Sequence, residues 1–474
     1  MRATAPAPNS VAVLYFDNLS RDTADAYLAD GLTEEITSRL GGVQRLQIKR
    51  PSRDAVRRLR DTVPDYLVTV GRVLRVRYLV EGSVRRADAR MRVSVGLVKA
   101  ADGFRVWSEA YDRAPTDLLA LQEEIAREVA TGIAGRLGPA ERAALAARPT
   151  RNPEAYERFL RGNYYLAQRT PRSVTRAIEE YSAALRLDPE FAPALARIAF
   201  GYELFAWYAW DYGGVSPESL LARGFAAVDR ALQRNPNSSD AWMARAMLLT
   251  SRNPRTLEGV SPAFERAIAL DPRNAEAQHL YGHHLRELGE DAAAAAAYHR
   301  ALAIEPERTV SLYALGWLYY QRRRYDEARR WLDSALALDR AFFWPSAMRA
   351  RVRLQLGQTA EALSDAETAV RLSAGDGYAE AVLALAELHA GDTVAARVRM
   401  ERVLRELPHP HRPAPLEALL GAALAALGQH ERALDFLERV QPRGVLRWDV
   451  LKAPEFDSIR SHPRFQRLVG ESRP

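Results

Sequence analysis

The sequence predicts an α/β, mixed-sheet domain over residues 10–140, followed by an all-α, right-handed solenoid of helical repeats over residues 153–441. Small residues recur every 34 positions in the second region, which is typical of stacked helical hairpins. The first region instead joins strand-length apolar runs to amphipathic helices. At 474 residues the chain is too long for one ordinary core, so at least two units are expected.

Composition excludes several classes of protein. With 47% hydrophobic and 27% charged residues, the chain is predicted to be globular rather than disordered. The absence of cysteine excludes disulfides, thiolate catalysis and cysteine–zinc sites. The net charge of +7 comes almost entirely from arginines that are interleaved with acidic residues, so no nucleic-acid partner is expected.

The lengths of the hydrophobic runs indicate whether the chain enters a membrane. None approaches the roughly 20 residues that span a bilayer, and the N-terminus lacks the apolar core of a signal peptide. We therefore expect no membrane insertion by this chain and a cytoplasmic location as it stands. A membrane helix upstream of Met1 would make the location periplasmic instead.

The first region begins with a predicted flexible tail, residues 1–9, which leads into a βαβ unit. VAVLYF (11–16) and LQIK (46–49) have the length and apolar character of strands. Between them, apolar residues at a spacing of four predict one face of a helix: Leu28, Leu32, Ile36 and Leu40. Gly41 and Gly42 end that helix.

Three further strands follow a helical stretch around residues 69–76. They are RYLVEGSVRR, RMRVSVGLVKA and FRVWSEAY, and in the middle one every second residue from Met91 to Leu97 is apolar. That alternation predicts one buried and one exposed face. A last amphipathic helix closes the domain, and residues 141–152 are predicted to be a linker.

Four motifs of this region occur in a fixed order: VAVLYFDNLS (11–20), YLADGLTEEI (27–36), YLVEGSVRR (78–86) and WSEAYDR (107–113). They resemble the TolB amino-terminal-like (FlgO-like) domain of bacterial signalling proteins. The resemblance implies an architecture in which this domain and helical repeats form the C-terminal, sensory or docking half of cyclases, Ser/Thr kinases and winged-helix regulators. It implies no substrate.

The second region repeats with a period of 34 residues. Four alanines fall on one series: Ala294, Ala328, Ala362 and Ala396. Gly282 and Gly316 share the same interval, and about eight repeats are expected over residues 153–441. Small residues at these positions allow the two helices of a hairpin to approach closely. One hairpin cannot bury its apolar face alone, so neighbouring hairpins must stack.

Two longer patterns identify the kind of repeat. Ala-x3-Tyr-x2-Ala-x4-Pro runs from Ala177 to Pro189 and again from Ala294 to Pro306, while LGWLY (315–319) has the matching first-helix pattern. These residues resemble tetratricopeptide (TPR) repeats. The resemblance implies a solenoid whose concave face, lined by the first helix of each repeat, binds a peptide or protein segment.

The chain leaves this period after residue 441. Four apolar residues beyond it are spaced to lie on one face: Phe456, Ile459, Phe465 and Leu468. A terminal repeat exposes an apolar face that has to be covered. Residues 442–474 are therefore predicted to form capping helices.

The TPR resemblance also implies that fixed positions of each first helix face the partner. Carried onto this chain, these positions select Phe200, Glu203, Met243, Met247, His279, His283, Arg286, Tyr313, Trp317, Tyr320, Trp344 and Arg351. Aromatic side chains offer large contact areas and arginine can bind a carboxylate with two hydrogen bonds. The hypothesised partner is an extended or helical peptide with apolar anchors and some acidic character. The alternative is that some of these aromatics pack against the next first helix.

Motifs for catalysis are absent. The sequence has no phosphate-binding, dinucleotide-binding, zinc-protease or nucleophile-elbow motif, so neither enzymatic activity nor a cofactor is expected. His279 and His283 have the i, i+4 spacing of a metal-binding pair, but no nearby carboxylate completes the set and no metal site is predicted. The aromatic cluster from Phe205 to Tyr212 either packs on its own insertion or lines a binding surface.

These expectations lead to one hypothesis and one alternative. The hypothesis is a non-enzymatic bacterial signalling or scaffold protein that binds a peptide or protein partner in the concave TPR groove. The alternative is a small-ligand sensory module in the N-terminal domain, coupled to a separate catalytic or transcriptional partner. A groove lined by aromatic and arginine side chains favours the first, and a pocket between the βαβ unit and the strands favours the second.

Overall fold

The structure is a computed structural model, which describes residues 6–22, 25–49, 51, 56, 59–60, 63–87, 90–208, 210–252, 257–373, 376–406, 414–441 and 448–472. Residues 1–5 of the predicted flexible tail and residues 442–447 of the predicted cap lie outside this description. Two compact units make up the chain. The first extends to Tyr202 and includes residues 223–244 and 304–306, and the second holds residues 203–222, 245–303 and those from Glu307 onward.

A mixed sheet forms the core of the N-terminal domain. Its described strands are β1 (Ser10–Val13), β2 (Asp17–Asn18), β3 (Gln47–Lys49), β4 (Tyr78–Ala87), β5 (Arg90–Lys99) and β6 (Arg105–Arg113). The order is β3-β1-β4-β5-β6, with β2 paired to β4. Strand β1 is parallel to β3 and β4, whereas β4, β5 and β6 form an antiparallel meander. The mixed sheet that the sequence predicts is confirmed.

Helices cover both faces of this sheet. They are α1 (Ala26–Gly41), α2 (Tyr66–Leu74) and α3 (Leu118–Ala134), and a fourth helix, α4 (Pro139–Ala146), packs on α1 and α3. Leu74 of α2 packs in a buried cluster with Leu79 of β4. Leu97 of β5 lies on the opposite face, because its cross-strand partner Val80 follows Leu79 in the strand. There it lies close to α3 at Gly132.

Helix α4 occupies the first half of the predicted linker, residues 141–152. Pro139 is the first residue of this helix, and the Glu141 carboxylate accepts a hydrogen bond from the N-cap backbone at 2.8 Å. The guanidinium of Arg39 then donates to the carbonyl of Leu145 at 2.5 Å, which holds α4 against α1.

Helical pairs follow from Pro153 to Val440. Sixteen helices are described there, and they form eight consecutive pairs: α5 (Pro153–Ala167) and α6 (Pro171–Leu187), α7 (Ala192–Trp207) and α8 (Pro217–Arg234), α9 (Ser239–Arg252) and α10 (Val260–Leu270), α11 (Ala275–Glu287) and α12 (Asp291–Ile304), α13 (Thr309–Gln321) and α14 (Tyr325–Leu338), α15 (Phe343–Gln355) and α16 (Thr359–Leu372), α17 (Gly377–His389) and α18 (Thr393–Glu406), and α19 (Ala414–Ala426) and α20 (His430–Val440). No described helix is long and apolar enough to cross a membrane.

The two helices of a pair approach most closely at small residues. A Cβ atom placed on Gly316 of α13 would lie 2.7 Å from the Leu332 side chain of α14. In the preceding pair, a Cβ on Gly282 would lie 2.6 Å from the ring of Tyr298. Ala328, on the same 34-residue period, is fully buried. Larger side chains at these crossing points would push the helices apart.

The C-terminal region contains α21 (Trp448–Leu451), a 3₁₀ turn (Pro454–Ile459) and α22 (Pro463–Glu471). Helix α22 packs on α20, where the Arg464 guanidinium lies 2.7 Å from Glu438 and 2.6 Å from Asp435. This helix lies within residues 442–474, which the sequence predicts to form capping helices. The preceding residues do more than cap the last repeat, because α21 contacts α11 of the fourth repeat as well as α19 of the eighth.

Candidate functional site

The carboxylate of Glu455, in the C-terminal 3₁₀ turn, lies against the first helices of the fifth and sixth repeats. Its Oε1 accepts a hydrogen bond from Arg351 Nε at 2.7 Å and one from the Tyr320 hydroxyl at 2.5 Å. The side chains of Arg351 and Glu455 are 3% and 6% exposed, so the ion pair is shielded from water. An ion pair of this kind is maintained only where hydrogen bonds offset the loss of hydration.

Three side chains surround the Arg351 guanidinium. Its carbon lies 5.0 Å from the centre of the Trp317 ring and 4.9 Å from that of Tyr320, which are cation–π distances. Its Nη1 atom donates to the Tyr378 hydroxyl at 2.9 Å. We call Trp317, Tyr320, Arg351 and Tyr378 the carboxylate site.

The repeat period explains why these residues meet. Trp317 and Arg351 are 34 residues apart and therefore occupy the same position in two successive first helices. The first helices α13, α15, α17 and α19 contact one another in that order. Tyr320 lies one turn after Trp317 on the same face of α13. The period thus brings an arginine, an indole and two phenols from three repeats to one place.

Electrostatics maintains both charges of this pair. Burial disfavours the ionised form of Glu455, but the charge of Arg351 and the hydrogen bonds from Arg351 and Tyr320 outweigh it, so the pKa of Glu455 is lowered. Burial likewise opposes the charge of Arg351, yet the nearby Glu455 raises the pKa of that guanidinium well above its usual range. Both groups are therefore charged at neutral pH.

Further aromatic residues extend from the carboxylate site. Arg286 of α11 is also one of the predicted residues. Its guanidinium carbon lies 5.8 Å from the centre of the Trp317 ring. Trp344 of α15 packs between Tyr313 at 6.3 Å and Tyr378 at 4.6 Å. The alternative from the sequence therefore holds for Trp344, whose ring packs against aromatics of neighbouring first helices.

The predicted histidines are part of a packed aromatic group. The rings of His279 and His283 are 4.8 Å apart, and both lie 5.7 Å from Tyr298. His279 Nδ1 is also 3.0 Å from the Ser311 hydroxyl. No group of three potential metal ligands occurs in the described ranges. The pair therefore contributes packing and a hydrogen bond to the repeat.

The remaining predicted residues lie in the interior. Phe200 is covered by the guanidinium of Arg169 at 4.8 Å, and Glu203 accepts a hydrogen bond from Ser251 at 3.0 Å. Of the twelve predicted residues, three are half-buried and nine are buried; the half-buried ones are His283, Tyr313 and Trp344. The twelve residues therefore do not line an open groove in the described structure, because several of them are core residues and others are covered by the C-terminal segment. Their role in partner binding stays a prediction.

The aromatic cluster after α7 packs on itself. The ring of Phe205 is 4.8 Å from Tyr212 and 5.7 Å from Trp210, and Trp210 stacks on Tyr208 at 4.7 Å. Phe205 is 1% exposed. These contacts match the packing interpretation of the insertion rather than a binding surface.

A second candidate site is a cleft of about 230 Å³ in the N-terminal domain, beside β4 and β5. Its charged lining residues are paired with each other: Arg105 with Glu81 at 2.5 Å, and Arg60 with Asp17 at 2.6 Å. The Tyr66 hydroxyl lies 3.5 Å from Glu81. Ligand pockets commonly measure about 300–1,000 Å³, so this cleft has room for a small polar molecule only.

Two residues are missing from the predicted set: Tyr378, a member of the carboxylate site, and Glu455, which occupies it. Tyr378 lies 34 residues after Trp344, so extending the same period into the seventh repeat would have found it. Glu455 lies outside the repeats, and its buried neighbours Phe456 and Ile459 carry only the signal of an apolar face. Nothing in the local pattern distinguishes a segment that covers the last repeat from one that reaches earlier repeats.

Two curated bacterial proteins are similar in sequence. "Putative adenylate cyclase 3" of Rhizobium meliloti (strain 1021) is 33% identical over 227 residues, which are 47% of this chain and 38% of that protein. "Cellulose synthase operon protein C" of Xanthomonas axonopodis pv. citri (strain 306) is 28% identical over 281 residues, which are 56% of this chain and 18% of that protein. The chain spans less than half the length of either relative.

Family models match the repeats, and a solved structure is similar to part of the chain. The structure of Pseudomonas aeruginosa pilF has a TM-score of 0.38 and 18% identity, covering 47% of this chain and 94% of that one. Models described as "Tetratricopeptide repeat" match residues 261–309, 291–342 and 332–444. Residues 261–444 of this chain are therefore tetratricopeptide repeats.

Proposed function

We propose that this chain is a non-enzymatic interaction module that binds a peptide or protein segment at the first-helix surface of its TPR region. The carboxylate site is the observation that supports the proposal: Arg351 and Tyr320 hold a carboxylate inside an aromatic surround. A partner that presents an acidic side chain next to an apolar anchor fits this chemistry.

The carboxylate site favours partners that carry a carboxylate over partners that do not. A hydrogen bond to a charged group contributes about 1.5–3 kcal/mol, more than one between neutral groups. A partner without a carboxylate would leave Arg351 buried and unpaired, which is costly. Aromatic and arginine side chains also dominate binding energy at protein interfaces. Specificity for an acidic anchor therefore follows from the same residues that provide affinity.

The setting we propose is bacterial signalling. The N-terminal motifs resemble the TolB amino-terminal-like domain, and one similar protein bears the name of a cyclase. Because this chain spans 38% of that relative and has no recognised catalytic motif, we propose that it contributes partner binding rather than turnover. Its partner would then connect it to a separate catalytic or regulatory protein.

Peptide display on the purified chain tests the binding proposal. The bait is the Glu455→Gln variant, whose site no longer holds a carboxylate. We expect the enriched peptides to carry Asp or Glu beside an aromatic residue. Adding Tyr320→Phe to the bait removes one charge-assisted hydrogen bond and should weaken these peptides by roughly tenfold or more.

The matched control is Tyr319→Phe in the same background. Tyr319 is the preceding residue of α13, and its ring instead lies 4.9 Å from the guanidinium of Arg324. The change should leave peptide binding intact. Equal weakening by Tyr319→Phe and Tyr320→Phe, or enrichment of peptides without acidic residues, would contradict the proposal.

The cleft in the N-terminal domain supports a second candidate function, binding of a small polar ligand. Its lining offers both charges, in Glu81 and Arg105, together with the phenol of Tyr66. A zwitterionic or hydroxylated molecule could exchange with the internal ion pair. Thermal-shift screening of such metabolites should then raise the melting temperature of the wild type but not of an Arg105→Gln variant, and no stabilisation by any of them would eliminate this candidate.

A further inference from the structure

The C-terminal segment of residues 448–459 lies across the first helices of several repeats. At one end the ammonium of Lys452 is 3.8 Å from Asp291, at the start of α12. In the middle Glu455 occupies the carboxylate site. At the far end Asp457 pairs with Arg323 at 2.7 Å. The segment thus covers part of the face that the sequence predicts for a partner, at Tyr320 and Arg351.

The segment combines buried apolar side chains with a more exposed ion pair, as a bound peptide does. Its apolar anchors are 1% exposed; they are Leu451, Phe456 and Ile459. The ion pair of Asp457 and Arg323 is about half exposed and lies at the rim. Buried anchors inside a polar rim are typical of protein interfaces. The segment itself is a four-residue helix and a 3₁₀ turn, and it does not form another repeat.

Glu455 is an imperfect ligand for the site. Its second oxygen, Oε2, and the indole Nε1 of Trp317 have no hydrogen-bond partner among the described residues. A buried polar group without a partner typically costs about 1–3 kcal/mol. A carboxylate on an external peptide is free of the chain connection that fixes Glu455. Such a peptide can therefore adopt a position that satisfies more of these groups.

We propose that residues 448–459 are an intramolecular ligand that closes the carboxylate site, and that the external partner displaces them by presenting the same chemistry, a glutamate followed directly by a large aromatic residue. This inference rests on the proposed function for the existence of an external partner. The closed state requires only the contacts described above.

An attached ligand lowers the apparent affinity of any competitor. Its effective concentration is commonly in the millimolar range for a short connection. A competitor then binds only the fraction of molecules whose segment is released, and its apparent dissociation constant rises by that factor. The partner therefore has to be tight-binding, locally concentrated or multivalent. The segment thus sets a minimum affinity or concentration that a partner must exceed to bind.

The other interpretation is a permanent core element, and hydrogen exchange on the full-length wild-type chain distinguishes the two. A displaceable ligand opens locally, so the amides of residues 455–459 should exchange well before those of α13 and α15. A core element opens only when the repeats unfold. If the segment and the two helices exchange together, at the rate of global unfolding, the proposal is overturned.

Peptide titration gives a second and independent readout. The probe is a labelled synthetic peptide, WDVLKAPEFDSIRS, which copies residues 448–461. We expect it to bind the full-length Glu455→Gln variant at least tenfold more tightly than the wild type, because the variant holds its own segment less strongly. A version of the probe with Gln in place of its Glu should bind neither chain measurably.

The matched control for this titration is Glu438→Gln, which removes one carboxylate from Arg464 on the capping helix. It should leave probe binding at the wild-type level. Equal binding of the probe to all three chains, or equal binding of the Gln probe, would overturn the intramolecular ligand. Binding of the probe with no peptide enriched in the display experiment would instead retain the intramolecular ligand and remove the proposed external partner.

Discussion

His284 on α11 is a buried histidine whose environment favours the neutral ring. Its ring lies 5.9 Å from Phe264 and 6.2 Å from Tyr281, and Nε2 is 2.6 Å from the Ser261 hydroxyl. Burial lowers the pKa of His284 to about 4, whereas the unfolded chain titrates near the ordinary value of about 6.5. Between these two pH values the unfolded state binds a proton that the folded state does not.

The first prediction follows from that difference. Stability from His284 is fully present above about pH 6.5 and is lost as the pH falls toward 4, because protonation then favours the unfolded state. The His284→Gln variant can still hydrogen-bond to Ser261 but does not titrate. Urea unfolding at pH 7 and pH 4.5 should show a smaller loss of unfolding free energy for the variant than for the wild type. Identical losses would contradict the lowered pKa.

The residues of the carboxylate site show how much of it can be predicted from the sequence alone. The resemblance to TPR repeats predicts Trp317, Tyr320 and Arg351, because it assigns fixed positions of each first helix to the partner face, and the 34-residue period repeats those positions along the chain. Their burial was not predicted, because a period gives the direction of a side chain but not what covers it. Glu455 was missed for the same reason, since its contact partner lies 104 residues away in sequence.

Helical pairs are the next scale, and their close approach depends on residues without bulk. Gly316 illustrates this, because a methyl group there would lie 2.7 Å from Leu332 and 3.4 Å from the carbonyl oxygen of Ala328. Leu332 is fully buried and has little room to move. At this position the space between α13 and α14 therefore has room for the hydrogen atom of glycine but not for a methyl group.

The second prediction concerns this crossing. Gly316→Ala should destabilise the chain by about 1–3 kcal/mol through overpacking, although alanine is the better helix former. The same substitution at Gly470, in α22, is the control, because no atom lies within 4 Å of the new methyl group. Thermal or urea unfolding should show a loss for the first variant and none for the second. An equally stable Gly316→Ala variant would mean that the two helices do not cross there.

Elements with a long, regular pattern were predictable, whereas short ones were not. The meander of β4, β5 and β6 and the repeat helices follow from periods of 2 and 3.6 residues that extend over many positions. Helix α4 spans only Pro139–Ala146, too few residues to show a period, so the sequence predicts a linker from residue 141. The VAVLYF run gave a strand that ends at Val13, because the pairing of β1 ends there.

At the scale of the whole molecule, the described residues form the buried carboxylate site and a small cleft, and the sequence has no recognised catalytic motif. The third prediction is that the purified chain turns over neither ATP nor GTP, because its sequence has no recognised motif that positions a phosphate or activates a nucleophile. Product formation above that of a mock-purified control would contradict it. A Trp317→Ala preparation tested in parallel would show whether any turnover depends on the repeat region.

The central claim is that the repeats hold a carboxylate at Arg351 and that Glu455 supplies it within the chain. A double-mutant cycle with Arg351→Met and Glu455→Gln tests this claim most directly, with hydrogen exchange of residues 455–459 as the measured opening. Each single change should accelerate exchange. Arg351→Met leaves the buried Glu455 carboxylate without its countercharge, and Glu455→Gln does the same to the Arg351 guanidinium. In the double variant the two effects should not add, giving a coupling energy of about 1–3 kcal/mol. Effects that add to within about 0.5 kcal/mol would show that the two residues do not interact, and the account of this site would be wrong.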